Sequence, residues 1–552
     1  MKYKQFIIIL IVIGFCLFFL SFFNGFIWDD EEQVVNNTLV HSLGNIPTFF
    51  TGSTFNTGGA GILGGIYYKP MMSVFFSILY TIFGGGAFGF HLFQVTLHIA
   101  NAILVFVLLL RLLGEFDKSN SYNNSKWIAF GASVLFLVHP INVEAVVYVS
   151  ALQDVLFLFF GMLALLITVY KENPFLNKIE EATKIKTHWW SALLLFLSVL
   201  SKETGIVFVG ITFAYVIIFD KKVLLNLIKS SSVMLAVYFI LRVFIAKIPF
   251  SKGGISPIMR VSFSERMQTV PKIIYHYLIT LFNTSKLAIA QHWVVEEANW
   301  GDFYFPLVIV TGFLLLLIIL GIFLKKRRNN SFKIYLFFVL WFLGALLLHL
   351  QIIPLDMTVA DRWFYLPFVG LAGAFSIVIF ELIYLKKESI RSVVALTSGI
   401  VILILSFRSL NRTLDWSDGL KLFSKDIEIS SESFDLQNNL GVELFRTGNV
   451  AEAKVHFTRS VEIAPYWWTN WNNLGAIVER EGKLEKAEDY YLVAIQNGDY
   501  FLAYENYAMI LIKQEKYDEA KKFLAEDALL KFPYNERLNQ AYIYIQTKED
   551  SK

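Results

Sequence analysis

The chain has 552 residues, of which 56% are hydrophobic and 16% aromatic while only 17% carry charge, and its mean hydropathy is +0.54. That composition excludes a soluble globular protein, and repeated apolar runs of bilayer-spanning length make it a polytopic membrane protein. The net charge of +3 is small, and Lys and Arg fall in short clusters between apolar runs, which fits topology anchors and argues against a nucleic-acid partner.

Lys2 and Lys4 precede an apolar run, residues 6–27, that is too long for a signal-peptide core and lacks a small-residue cleavage site. It is expected to be a retained helix with its N-terminus in the cytoplasm. Cys16, the only cysteine, lies within it, so neither an intrachain disulfide nor a cysteine metal site can form. The run ends in WDDEE (28–32), whose carboxylates cannot sit in hydrocarbon and must lie at the interface or in a wet cavity. A membrane enzyme would hold its base there, although acidic residues at that place can equally do no more than stop the helix and anchor it. The loop continues past TGSTFNTGGAGILGG and YYKP. Residues 71–83 then fall well short of the ~20 needed to cross and are expected along the interface. Residues 89–113 cross inward, 127–147 outward and 149–170 return, which gathers HPINVE (139–144) and SALQD (150–154) at the outer end of a tight hairpin.

Lys171, Lys178, Lys184 and Lys186, then Lys221 and Lys222, mark two cytoplasmic loops. The short apolar runs between them, 189–200 and 204–219, are joined by SKET and predict a re-entrant hairpin with Lys202 and Glu203 as an ion pair at its buried tip. A self-neutralised helix break is the plainer alternative. Residues 224–245 go outward into a long loop holding Arg260, Arg266, Lys272, His276, Lys286 and His292; 303–324 return to KKRR (325–328). Residues 334–353 lead out to VADRWFYLP, 364–385 come back to Lys386 and Lys387, and 393–407 exit. The expectation is an all-α bundle of about nine crossings plus the hairpin, its polar motifs sharing one outer cavity.

The tail repeats. NNLG at 438–441 returns at 472–475, Gly448 as Gly482 and Ala453 as Ala487, all 34 residues apart, with an Ala464-Pro465 break between. This is the period of tetratricopeptide helix pairs. Tyr507, Ala520 and Pro533 mark a degenerate third copy, and the amphipathic stretch 415–430 predicts a helix packed ahead of the first. The chain divides accordingly into a membrane domain, 1–410, and an extracytoplasmic α-solenoid, 411–552, whose concave groove suits an extended peptide or a partner protein.

The series FIWDD, YYKPMMSVFF, FGFHLFQVTLHIANAILVF, LFLVHPINVEAVVYVS, LSVLSKETGIVF, ADRWFYLPFVGLAG and NNLG resembles, over nearly the whole chain, the transmembrane and tetratricopeptide-repeat family of protein O-mannosyltransferases and its bacterial relatives. The resemblance implies a C-type glycosyltransferase fold. It also implies an enzyme that takes a sugar, mannose in the family's case, from a polyprenyl-phosphate carrier on the non-cytoplasmic face with inversion, and it makes Asp29 and Asp30 the catalytic pair. One departure is Leu152 in SALQD, where relatives often carry a basic residue, so that hairpin is a weaker candidate for binding the donor phosphate.

The residues can be weighed for that chemistry directly. Transfer to a hydroxyl needs a carboxylate within reach of the acceptor proton and cations to hold charge on the departing phosphate. Sequence neighbours diverge on a helix, so one of Asp29 and Asp30 is the base, with Asp29 preferred, and the other positions it, binds acceptor or caps a helix. Lys69, Lys202 and Arg362 are the phosphate candidates, Arg362 best suited by its planar fork. His139 and Glu144 could reach sugar or acceptor, although His139 before Pro140 can equally only cap backbone groups. Glu203, Asp361 and Tyr365 complete the substrate-binding candidates. His91, Gln94 and His98 form a stripe expected to pack between membrane helices. HExxH, CxxC and Walker sequences are absent. No cofactor is required, a Mg²⁺ or Mn²⁺ on the acidic cluster being the less favoured reading. The expected partners are thus the bilayer, a polyprenyl-phosphate-linked sugar, a protein or glycan acceptor and a peptide or protein in the groove, at the plasma (inner) membrane. The competing reading is a non-enzymatic scaffold, or a transporter of a lipid-linked substrate, that recruits partners through its repeats.

Overall fold

The computed structural model describes residues 3–54, 67–114, 122–169, 181–248, 254, 256–385 and 388–550. Most of the glycine-rich first loop, Lys2, Lys171, Lys178, Lys386 and Lys387 lie outside them. Among the described residues all regular structure is helical, with one isolated bridge between Gln291 and Val359. Eight helices there are long and apolar enough to cross a membrane, or nine if the bent pair Asn124–Val138 and Pro140–Val147 counts as one span.

The first helix, α1 (Tyr3–Phe18), tightens into a 3-10 turn to Phe23 and delivers the chain to WDDEE. After the first loop, α2 (Pro70–Phe83) starts on a proline, whose missing N–H costs nothing at a helix start. It has 14 residues, too few to span. Then come α3 (Ala87–Gly114), α4 (Tyr122–Val138), α5 (Val143–Val147) and α6 (Leu152–Val169). The single span expected at 127–147 is instead broken by 53° where Pro140 cannot donate and forces His139 into an extended conformation (φ −74°, ψ 128°). The hairpin partners are α7 (Glu181–Ser201) and α8 (Ile206–Phe219). At 21 residues α7 is longer than its apolar run, about 31 Å. Packed along α6, it carries Lys202 to Asp154 in the first turn of α6, so the tip lies at the end of the bundle that bears the first loop.

The chain continues through α9 (Leu224–Phe239), α10 (Pro257–Arg260), α11 (Phe263–Thr280), α12 (Phe305–Arg327), α13 (Asn329–Leu347), α14 (Tyr365–Leu385) and α15 (Glu388–Asp415). The centre of the bundle is α14 and α6, whose spans are 78% and 72% buried within the protein, whereas α9 and α15, at 17% and 11%, leave apolar side chains outward for lipid.

Position 410 lies inside α15, which runs on to Asp415; α16 (Gly419–Ile429) follows, capped by Asp418 accepting the Lys421 N–H at 2.8 Å. Paired helices come next: α17 (Phe434–Arg446) with α18 (Val450–Ile463), α19 (Trp468–Arg480) with α20 (Leu484–Asn497), and α21 (Phe501–Lys513) with α22 (Tyr517–Phe523). A π turn, α23 (Leu529–Lys531) and α24 (Glu536–Asp550) close the array. The 34-residue glycines have two different duties. Gly448 and Gly482 take φ of 91° and 79° to end α17 and α19. At Gly441 and Gly475 a Cβ would lie 2.7 Å from Phe457 and Tyr491, so these glycines let the two helices of a pair approach.

The solenoid is fixed to the end of the bundle that bears WDDEE. Arg412 of α15 forks onto buried Asp426 of α16 at 2.6 and 2.8 Å, and Asp426 also accepts the Ile289 N–H at 2.9 Å. His292 meets Asp435 at 2.9 Å, and Arg446 of α17 forks onto Glu31 at 2.9 and 2.6 Å. A continuous apolar core joins bundle and first repeats.

Candidate active site

Asp29 and Asp30 follow Trp28, whose φ of 60° is a left-handed conformation costly for a large side chain. That kink sends the two carboxylates in different directions. Both oxygens of buried Asp30 are taken by backbone: Oδ1 accepts the Ser150 N–H at 2.7 Å and Oδ2 the Ile27 N–H at 3.2 Å. Asp30 therefore ties the first loop to the start of the α5–α6 turn. Asp29 is half-buried and, among the described residues, accepts only the Tyr148 hydroxyl, on Oδ2 at 2.8 Å, which leaves Oδ1 without a donor there. Burial pushes its carboxyl up to about 6, against the Tyr148 hydrogen bond and the nearby Arg362 charge. Burial likewise raises Asp30 to about 7.

Tyr148 is the keystone of the pocket. Its ring stacks on Trp28 and meets Trp416 at a tilt, each centroid 5.4 Å away, and the Arg362 guanidinium lies 6.0 Å from its centroid. Arg362 is held by Glu144, which accepts one guanidinium N–H on Oε1 and the Arg362 backbone N–H on Oε2 at 2.9 Å. The remaining guanidinium donors have no protein acceptor among the described residues. Lys202 and Glu203 do not pair with each other. The 3-10 turn that follows α7 splays them, Lys202 to Asp154 at 2.5 Å and Glu203 to Arg242 at 2.9 Å and the Tyr68 N–H at 3.1 Å.

Lys69 is buried with its ammonium 4.2 Å from the centroid of the Tyr67 ring and has no carboxylate within ion-pair distance among the described residues. Burial lowers it to about 8, Glu203 opposing and Lys202 adding to the shift. A buried cation that lacks its own anion is a place for an anion to bind. Asp356 accepts the Tyr67 hydroxyl, and its charge acts on both Asp29 and Lys69. Arg362 and Lys69 both act on Asp29, and Lys202 on Lys69, so base and cations share one electrostatic neighbourhood.

The chain is similar to proteins named protein O-mannosyl-transferase. One, from Caenorhabditis elegans, is 23% identical over 454 residues, 80% of this chain and 60% of the relative. Another, the protein O-mannosyl-transferase TMTC3 of Mus musculus, is 23% identical over 499 residues, 83% of this chain and 50% of the relative. The chain thus spans between half and three-fifths of the length of these relatives. No family model matches. Among solved structures, the apo oligosaccharyltransferase of Archaeoglobus fulgidus aligns with a TM-score of 0.41 at 12% identity, covering 79% of this chain and 57% of that one.

Three sequence candidates fall outside the pocket. His139 accepts the Ile141 N–H on Nδ1 at 3.2 Å, and its Nε2 lies 3.1 Å from the Leu281 carbonyl, so both ring nitrogens serve backbone at the proline break. Tyr365 shares its hydroxyl with His98 at 2.7 Å and Asn101 at 3.3 Å between membrane helices, a satisfied interior bond. Asp361 is buried on the solenoid side, within reach of the Arg412 and Asp426 charges. The stripe of His91, Gln94 and His98 packs as expected, Gln94 donating to the carbonyls of Ala145 and Tyr148 at 2.8 and 2.6 Å. Sequence reasoning missed Tyr148, Asp154, Arg242 and Asp356. A lone charge in an apolar run was the available signal for Arg242, and an acidic residue at the start of one for Asp154.

Proposed function

We propose that the protein is a membrane glycosyltransferase that moves a sugar, mannose in the favoured case, from a polyprenyl-phosphate donor to a hydroxyl of a protein or glycan acceptor. The observation that carries this reading is that the half-buried carboxylate of Asp29 lies within the electrostatic reach of Lys69 and Arg362, and Lys69 within that of Lys202. The names of the relatives support the transferase class.

In this mechanism Asp29 Oδ1 takes the proton of the acceptor hydroxyl as its oxygen attacks the anomeric carbon. The bond from that carbon to the phosphate oxygen breaks, and the electron pair leaves with the phosphate. The donor diester becomes a monoester and gains one negative charge, which the free Arg362 donors and the unpaired Lys69 ammonium stabilise. A carboxyl near 6 is mostly ionised at neutral pH yet basic enough to accept a proton in flight. Tyr148 touches the base through its hydroxyl and Arg362 across its ring, and in this reading the acceptor attacks from the face opposite the leaving group, with inversion. Fixed cations supply the counter-charge without a metal. The basic clusters, KKRR above all, support a cytoplasmic position for their end of the bundle, and hence an extracytoplasmic one for the site and the solenoid in this reading.

The test is transfer in purified protein. With labelled polyprenyl-phosphate mannose and a Ser/Thr peptide, wild type should yield a glycopeptide and Asp29→Asn should not. Absence of transfer by well-folded wild type from a panel of polyprenyl-phosphate sugars would remove the reading. Glycopeptide mass spectrometry of matched strains with and without the gene names sugar and acceptor together.

A further inference from the structure

The side chain that touches Asp29 is held from distant parts of the chain. Tyr148 lies at the turn between α5 and α6, where the bundle fixes its backbone: its carbonyl accepts Gln94 Nε2 at 2.6 Å, and Ser150, two residues on, donates its N–H to Asp30 at 2.7 Å. Backbone bonds leave the side-chain torsions free, so the place of the hydroxyl depends on what the ring packs against. One neighbour, Trp28, belongs to the first loop and lies nearly parallel to the ring, at 16°. Another, Trp416, comes from the short segment 416–418 that joins α15 to α16, and so from the junction of bundle and solenoid. Its ring is tilted 30° to that of Tyr148. Trp416 is buried, and its segment is pinned at both ends: Asp415 pairs with Lys425 of α16, and Asp418 caps α16 through the Lys421 N–H. The indole N–H of Trp416 is shut off from solvent and has no acceptor among the described residues. An orphaned donor costs stability, so what the indole contributes here is its ring.

We infer that Trp416 is a positioning residue for the transfer: from the solenoid junction it holds the Tyr148 ring so that the hydroxyl stays on Asp29 Oδ2. Given the transferase reading, on which this rests, the docked solenoid helps to make the base competent, whatever part it has in holding an acceptor. The hydroxyl serves the base in two ways. It fixes the orientation of the carboxylate, which leaves Oδ1 for the acceptor proton. It also favours the ionised form, against the burial that raises the Asp29 carboxyl to about 6. The charges that act on Asp29, Arg362 and Lys69 in the same sense as the hydroxyl and Asp356 against it, all lie outside segment 416–418. Trp416 carries no charge, so its route to the base is through the Tyr148 ring.

The experiment uses full-length protein in nanodiscs, labelled polyprenyl-phosphate mannose and a single threonine blocked at both ends, too short to engage the repeats. One readout is the pH profile of kcat/KM. The other is the infrared titration of the Asp29 carboxyl, taken as the difference from the same protein carrying Asp29→Asn. Tyr148→Phe keeps the ring and removes the hydroxyl, so its acid limb and infrared midpoint should rise by about one unit, with kcat down about tenfold and donor KM held. Trp416→Leu, which keeps apolar bulk without the ring, should move both readouts in the same direction while the alkaline limb stays. Trp416→Phe should restore them, and Trp416→Leu added to Tyr148→Phe should shift neither further, because the hydroxyl it acts through is gone. Trp471→Leu, whose ring meets Tyr490 within the solenoid, should leave both at wild-type values. If Trp416→Leu does not fold, Trp416→Met, which fills irregular space without a ring, takes its place. A Trp416 variant with a lower melting temperature and both readouts at wild-type values overturns the inference, and so does an effect that adds in full to that of Tyr148→Phe. Infrared shifts in Tyr148→Phe and Trp416→Leu without transfer by wild type would keep the positioning and discard the transferase; transfer with a titration indifferent to Trp416 would do the reverse.

Discussion

Replacing Asp29 by Asn separates chemistry from architecture. The amide keeps an oxygen for the Tyr148 hydroxyl, and Asp29 makes no other hydrogen bond among the described residues, so the first loop should keep its shape. What disappears is proton acceptance. A positioned general base contributes about 10²–10⁴ in rate, or roughly 3–5.5 kcal/mol of barrier, so kcat should fall by that factor with donor KM nearly unchanged. The pH profile gives a second, independent reading. With the carboxyl near 6, about nine-tenths of Asp29 is ionised at pH 7 and about one-tenth at pH 5, a roughly tenfold loss of kcat/KM on the acid side. On the alkaline side, Lys69 loses its proton around 8 and with it the unpaired charge offered to phosphate. Wild type should therefore give a bell with limbs near those two values, while Asp29→Asn keeps only the alkaline limb. Single-turnover transfer from labelled donor across pH 5–9 measures both. An Asn variant within threefold of wild type, or one that retains the acid limb, refutes Asp29 as the base.

Asp30→Asn puts an amide N–H against a backbone N–H and should cost about 1–3 kcal/mol of stability near pH 5, read as a lower melting temperature. The sign of the pH effect is fixed: the folded carboxyl, near 7, binds its proton more tightly than the unfolded one, so wild-type stability falls as pH rises from about 4 to 7. The variant should lose that part of the slope; equal slopes would contradict the assignment. Arg362→Lys keeps a charge for Glu144 but loses the fork, and donor KM should rise about 10-fold or more, an unchanged donor KM counting against phosphate binding there. Treatment with a chelator should leave the rate within about twofold of the untreated enzyme, because fixed cations carry the counter-charge. Loss restored by Mg²⁺ or Mn²⁺ would favour a metal on the acidic cluster instead.

Local patterns carried the spans, the loop and the repeats, because hydropathy, charge clusters and a 34-residue period are properties of short windows. The SFSE that opens α11 is a capping box, Ser262 with Glu265, which the sequence reading passed over in taking this region as a long loop, Pro271 interrupting the helix it starts. The pairing of charges was another matter. Lys202 has its apparent partner beside it in sequence, yet its partner in space is Asp154, 48 residues earlier, and Arg362 finds Glu144 across 218 residues. No window holds both members of such a pair. Tyr148 was missed for the same reason: within VVYVS it is one more apolar residue, and only the folded chain brings its hydroxyl to Asp29 and its ring beside Arg362. His139 shows the opposite case, in which a local rule, a residue forced out of helix by the following proline, outweighed its appeal as a ligand.

The way the solenoid is attached bears on what it can do. A flexible tether would only raise the local concentration of a captured acceptor, whereas here Arg412–Asp426, His292–Asp435 and Arg446–Glu31 fix repeats and bundle at separate points. With the repeats held at one distance from Asp29, the hydroxyl that reaches the base should sit at a constant offset along the acceptor from any segment the repeats hold. A long serine-rich peptide should then be modified at a few positions rather than evenly, and mass spectrometry can map them. Asp426→Asn weakens the buried fork and removes charge from the group that also accepts Ile289 N–H, so the junction should loosen and the distribution of modified positions broaden. Were wild type to modify every serine alike, or the variant to reproduce the wild-type pattern with a weakened junction, the solenoid would be acting as a tether and the rigid-delivery account would fail.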